Sequence, residues 1–113
     1  MKTVTLGLSD RAEANARFVE AMHGGRFGNF ISFDGPDLLF KTLTAKRWEI
    51  LQVLTGKGPV SIREAARLVG RDVKAVHGDI TALLNVGVLE KENNKIVFPY
   101  DQVHVDFVLS DTA

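Results

Sequence analysis

The chain contains no cysteine, which excludes disulfides, thiolate metal sites and a cysteine nucleophile. Long apolar runs are absent as well: none approaches the ~20 residues a membrane-spanning helix needs. The opening MKTVTLGLSD has no apolar stretch of signal-peptide length, so a cytoplasmic protein without membrane association is expected. The three histidines, His23, His77 and His104, are far apart in sequence, and neither H-x-x-x-H nor H-E-x-x-H occurs. No metal site, cofactor or catalytic residue is therefore expected, and the chain does not read as an enzyme. The glycines of GGRFGNFISFDGP do not form a phosphate loop, because G-x-x-x-x-G-K-[ST] is missing.

Net charge is also lacking: the formal value is zero, which taken alone argues against nucleic-acid binding. Its distribution argues the other way. Between Lys41 and Asp79 stand eight basic residues against four acidic ones, a local +4 balanced by −4 in the flanks. Such a basic middle can make a face that attracts phosphate. The remaining totals are ordinary. With 113 residues, 45% hydrophobic and 25% charged, the chain is expected to be one soluble globular domain with a single core.

Residues 2–8, KTVTLGL, alternate Val4, Leu6 and Leu8 with Thr3, Thr5 and Gly7, which predicts a strand. Asp10 and Glu13 have the spacing of a helix start, and the helix would run to about Met22 before Gly24-Gly25 stop it. GGRFGNFISFDGP reads as a connector with a short apolar segment, Phe30–Phe33, inside it. Its RFGNF is better explained by core packing of Phe27 and Phe30 than by base stacking. PDLLFKTL predicts a short helix, and Thr44 can cap the next, AKRWEILQVL, which ends at Gly56 and Gly58-Pro59. Trp48, the only tryptophan, recurs with Leu51 and Leu54 at helical spacing and is expected to be a core anchor.

The most informative stretch follows. Ser61-Ile62-Arg63-Glu64 fits the S-x-x-E capping box, in which serine and glutamate satisfy each other's backbone amides. Ile62, Ala65, Ala66 and Val69 give that helix a buried side, Gly70 closes it, and Asp72 can cap its successor. Two helices joined by so tight a turn make a helix-turn-helix, whose second helix enters the DNA major groove. Val73, Val76, Ile80, Leu83 and Leu84 form the second helix's core stripe, while Lys74, His77, Gly78 and Thr81 share the opposite face. These four are the candidates for reading bases. Arg63, Arg67 and Arg71, with Lys46 and Arg47, are the candidates for phosphate contact. Gly78 costs the helix about 1 kcal/mol relative to alanine. Either it permits a close approach, to DNA or to a packed neighbour, or the tertiary structure tolerates it.

Val88–Glu90 and Ile96–Phe98 flank Asn93-Asn94, a pair that suits a tight hairpin. A helix-turn-helix followed by a hairpin is a winged helix, with Lys91 and Lys95 as phosphate candidates near the wing tip. In VHVDFVL, Val103, Val105, Phe107 and Leu109 alternate with His104, Asp106 and Val108. That strand needs a covering partner, and the N-terminal strand, in the same chain or across a dimer, is the expected one.

The block from Leu43 to Lys91, most specifically LTAKR, SIREAARLVGRDVKAVHGDI and, beyond it, VFPYDQVHVDF, resembles predicted winged helix-turn-helix transcriptional regulators of the MarR-like kind. Some of these are paired with toxins as antitoxins. Members of that group often carry a basic or bulkier residue where this chain has Gly78. The expected fold is thus α+β: an N-terminal strand-helix and connector (1–43), suited to dimerisation, a winged helix-turn-helix (44–100), and a C-terminal strand and tail (101–113), all in one compact domain. The resemblance implies a regulator that binds double-stranded DNA as a homodimer and acts as a repressor. The alternative is an antitoxin or adaptor whose main role is to grip a protein partner, such as a basic toxin facing Asp101, Asp106 and Asp111.

Overall fold

β1 (Thr3–Leu8) is the middle strand of a three-stranded sheet, with β2 (Asn29–Phe33) on one side and β5 (Gln102–Asp106) on the other. Both pairings are parallel: Leu8 stands opposite Phe33, and Gly7 opposite Asp106. The computed structural model describes residues 2–8 and 29–106, and the helix expected at Asp10–Met22 lies outside them, as does Phe27. Alternation places Val4 and Leu6 fully inside. Beside the β1–β5 pairing, the Lys2 N–H donates to the Asp101 carboxylate at 2.8 Å and the Asp101 N–H donates to the Lys2 carbonyl at 2.7 Å. The expected partnership of the N- and C-terminal strands is therefore met within one chain.

The apolar piece of the supposed connector, Phe30–Phe33, belongs to a full strand, Asn29–Phe33. Its pairing partner is distant in sequence, and a parallel pair leaves no hairpin signal to read.

α1 (Pro36–Thr42) opens with proline, whose missing N–H costs nothing in the first turn, and buries Leu39. α2 (Ala45–Leu54) is capped by Thr44, whose hydroxyl accepts from the Arg47 N–H. It buries Ile50, Leu51 and Leu54. Trp48 is not the core anchor expected: it is 36% exposed, because it lies on the flank of the stripe that those three residues define, about a third of a turn from its centre.

α3 (Ile62–Val69) and α4 (Val73–Asn85) follow, separated by Gly70 at φ 68° and by the Asp72 cap. Val76, Ile80 and Leu83 form the buried stripe of α4, with Leu84 partly covered. Val73, predicted as its first member, is 42% exposed, since it precedes the turn at which α4 meets the core. β3 (Glu90–Glu92) and β4 (Lys95–Val97) make an antiparallel hairpin around Asn93, which takes the left-handed φ of 58°. The first strand starts later than Val88, because Val88 and Leu89 turn inward and are buried. Val60, just before α3, bridges to Ile96 with bonds of 2.9 and 2.8 Å and adds a third short arm to the hairpin.

One hydrophobic cluster runs from Val4 and Leu6 through Leu39, Leu51, Val76 and Leu83 to Ile96 and Tyr100. The described residues thus form an α+β fold in which a parallel sheet and a helical layer share a core. No helix among them is long and apolar enough to cross a membrane.

Candidate nucleic-acid interface

α4 owes its start to Asp72, whose carboxylate accepts from the N–H groups of Lys74 and Ala75 at 3.0 and 3.3 Å. These are donors that a helix's first turn otherwise leaves unsatisfied. With Val76, Ile80 and Leu83 buried, the helical period turns Lys74, His77, Gly78 and Thr81 outward, and all four are exposed. Asn85 continues that face by one more turn and is exposed as well. Extending the i, i+3, i+4 pattern past Thr81 would have identified it. The Thr81 hydroxyl donates to the His77 carbonyl at 2.8 Å, so its proton is used within the helix.

Gly78 stands in the middle of this face. A Cβ built on it meets nothing within 4 Å. Packing against a neighbour among the described residues is therefore not the reason for the glycine, which leaves tolerance or the approach of another partner.

The arginines of this surface differ in how far they are committed to the fold. Arg63, Arg67 and Arg71 line one surface depression of about 490 Å³ together with Ser61, Glu64 and Val73, so three of the seven phosphate candidates share one lining. Arg63 is exposed. Arg67 places its guanidinium on the Glu64 carboxylate, Nε to Oε2 at 2.9 Å with a second bond from Nη2 to Oε1. The capping box is consequently realised by half: the Ser61 hydroxyl accepts from the Glu64 N–H at 3.0 Å, while the Glu64 side chain turns to Arg67. The hydrogen bond from Arg67 outweighs the opposing effect of burial and holds the Glu64 carboxyl below its ordinary range.

Arg71 and Arg47 are built into the fold. Both bind Asp79, Arg71 Nη2 to Oδ2 at 2.8 Å and Arg47 Nε to Oδ1 at 3.0 Å, and all three side chains are less than a quarter exposed. Arg47 also donates to the carbonyls of Lys41 and Thr42 at the end of α1. Burial pushes the Asp79 carboxyl up, but the hydrogen bonds from Arg71 and Arg47 together overcome it and hold the group below the carboxylate range. Sequence reasoning treated Arg47 and Arg71 as cations facing phosphate and did not single out Asp79. The available signal was that Asp79 is the single acid on α4.

Along its C-terminal half α4 borders an open groove of about 640 Å³, with His77, Thr81 and Asn85 on the helix side and Glu90 and Lys91 on the hairpin side. Lys91 and Lys95 are exposed on β3 and β4, and Lys46 is exposed on α2. The surface thus presents Lys46, Arg63, Arg67, Lys74, Lys91 and Lys95 to solvent, with Glu64, Glu90 and Glu92 interspersed. Asp101, one of the acids considered for a protein partner, is engaged by the Lys2 backbone. Asp111 lies outside the described residues.

No curated protein sequence matches the chain. The sequence model of one family does match, over residues 42–105, a span that takes in α2, the α3–α4 pair, the hairpin and nearly all of β5. Covering more than half of the chain, that match places the protein in the HVO_A0114 family.

Proposed function

We propose that the chain is a winged helix-turn-helix regulator of the MarR-like kind, which binds double-stranded DNA in a sequence-specific manner and represses transcription as a homodimer. One observation carries this reading. α4 exposes a polar, small-residue face, with an arginine-lined depression at its N-terminal end and a lysine-bearing hairpin along its C-terminal half. The tight α3–α4 turn, the hairpin that follows, and the Val60 bridge to Ile96 support the winged-helix arrangement.

In this reading α4 lies in the major groove. Lys74, in its first turn, is placed to meet guanine acceptors, and Thr81 a thymine methyl. Arg63 and Arg67 hold phosphates, as do Lys46, Lys91 and Lys95 around the rim. Arg47 and Arg71 act indirectly, by fixing α4 through Asp79. A twofold dimer sets two copies of α4 about one DNA turn, ~34 Å, apart. Leu38, Phe40 and Trp48, exposed on consecutive helices α1 and α2, supply apolar surface suited to such a contact.

The test is binding to duplex DNA from the region upstream of the protein's own coding sequence, titrated across salt. Affinity should fall steeply as counterions compete, with a log–log slope of about −0.9 per phosphate neutralised. A tight complex with another protein, and no salt-sensitive DNA binding, would favour the antitoxin or adaptor reading instead.

A further inference from the structure

Arg63, Arg67 and Arg71 all contribute to the lining of one depression, and their guanidinium groups differ in standing. Arg71 is largely buried and committed to Asp79 at 2.8 Å, with side-chain exposures of 19% and 17%. Arg63 is exposed and has no ion-pair partner among the described residues. Arg67 is the intermediate case. Its two bonds to Glu64 form a forked pair, yet the side chains are 70% and 38% exposed.

A guanidinium fork that receives two carboxylate oxygens is the same fork that receives two oxygens of a phosphate. Glu64 therefore occupies on Arg67 the donors that an incoming oxyanion needs. We propose that this depression is a seat for a phosphate oxyanion, and that Glu64 is its resident stand-in, displaced from Arg67 when the seat is filled. The Glu64–Arg67 pair is suited to exchange because it is exposed, only three residues apart on one helix and screened by salt. The Arg71–Asp79 pair is not, because releasing either partner would leave a largely desolvated charge. Arg71 is thus a fixed wall, and Arg63 and Arg67 are the groups that close on the ligand.

The capping-box spacing gives the displaced carboxylate a second position. Glu64 is three residues after Ser61, so on leaving Arg67 it can turn back to the Ser61 N–H and complete the box that is half-formed in the free protein. Helix α3 then loses no support when the seat fills. This inference rests on the DNA-binding reading only for the source of the phosphate: a nucleic-acid backbone and a free phosphate-bearing ligand present the same chemistry.

Glu64→Gln separates the possibilities, since glutamine serves equally in a capping box but does not compete as an anion. Wild type and variant are titrated with duplex DNA from the protein's own upstream region and, separately, with inorganic pyrophosphate, each at several salt concentrations. A Glu49→Gln control removes the same charge from α2, and melting curves verify folding. The proposal predicts severalfold tighter binding by Glu64→Gln. The gain should be absent in Glu49→Gln and abolished when Arg67→Ala is added. A gain for DNA identifies the backbone as the source. A gain for pyrophosphate without DNA binding by either protein upholds the seat and overturns the DNA reading. Wild-type DNA binding that Glu64→Gln leaves unchanged, or raises no more than Glu49→Gln does, overturns the seat and leaves the DNA reading standing. The absence of any gain for either probe in folded protein likewise overturns the seat.

Discussion

Arg71 donates to Asp79 across 2.8 Å in the angle between the α3–α4 turn and α4 itself, and Arg47 reaches the other oxygen of the same carboxylate from α2. One acid on α4 thereby fixes that helix against both the turn before it and the helix two elements earlier. Through the Lys41 and Thr42 carbonyls, the same network reaches the end of α1.

Removing that acid should therefore cost stability. Asp79→Ala leaves two largely buried guanidinium groups without their anion, and a loss on the order of 3 kcal/mol is expected, read as a shift in the urea midpoint. Because the folded-state pKa of Asp79 is lowered, its contribution is complete above the unfolded carboxylate range. It is lost as the pH falls through the depressed folded value. The wild type should accordingly lose stability on acidification below about pH 4, and Asp79→Asn should lose less over the same window. Equal acid dependence of the two proteins would show that the pair contributes nothing to folding.

Gly78→Ala should stabilise the fold. The position lies in the interior of the 13-residue α4 and a Cβ there meets open space, so alanine should add about 1 kcal/mol. That corresponds to a rise in Tm of about 4 °C. If the glycine is kept for the approach of DNA, the same variant should bind DNA more weakly while melting higher. Undiminished affinity together with the higher Tm would assign Gly78 to tolerance.

The Asp72 cap offers a test of α4's first turn. Asp72→Ala removes the acceptor for the Lys74 and Ala75 amides and should cost about 1 kcal/mol by thermal unfolding. Asp72→Asn, an equally good cap, should keep most of it. Lys74 sits in this turn, so the alanine variant should also bind DNA less tightly than the asparagine one. Identical affinities would mean that the order of the first turn is irrelevant to recognition.

The elements legible in the sequence were those with a local physical demand at a single residue. Thr44, Ser61 and Asp72 each cap a helix, Gly70 takes a positive φ and Asn93 turns a hairpin. Each demand is met within a few residues of where it arises. The strand at Asn29–Phe33 was not legible, because a parallel partner leaves neither turn nor spacing in the chain. Trp48 shows a different limit: periodicity gives the direction of a buried stripe but not its width. The roles of Arg47 and Arg71 depend on Asp79, 32 and 8 residues away, and only helix packing brings those side chains together. Glu64 satisfies two local rules at once, a capping box with Ser61 and an i, i+3 pair with Arg67, and sequence alone does not choose between them.

The central claim is that the outward face of α4 reads DNA. Its most direct test is fluorescence anisotropy with duplex from the protein's own upstream region, comparing the wild type with a Lys74→Ala/His77→Ala variant at low and physiological salt. Both side chains are exposed, so the variant should fold and melt like the wild type. The account predicts tight, salt-sensitive binding by the wild type that the variant loses. Equal binding by both proteins, or none by a folded and dimeric wild type, would contradict it.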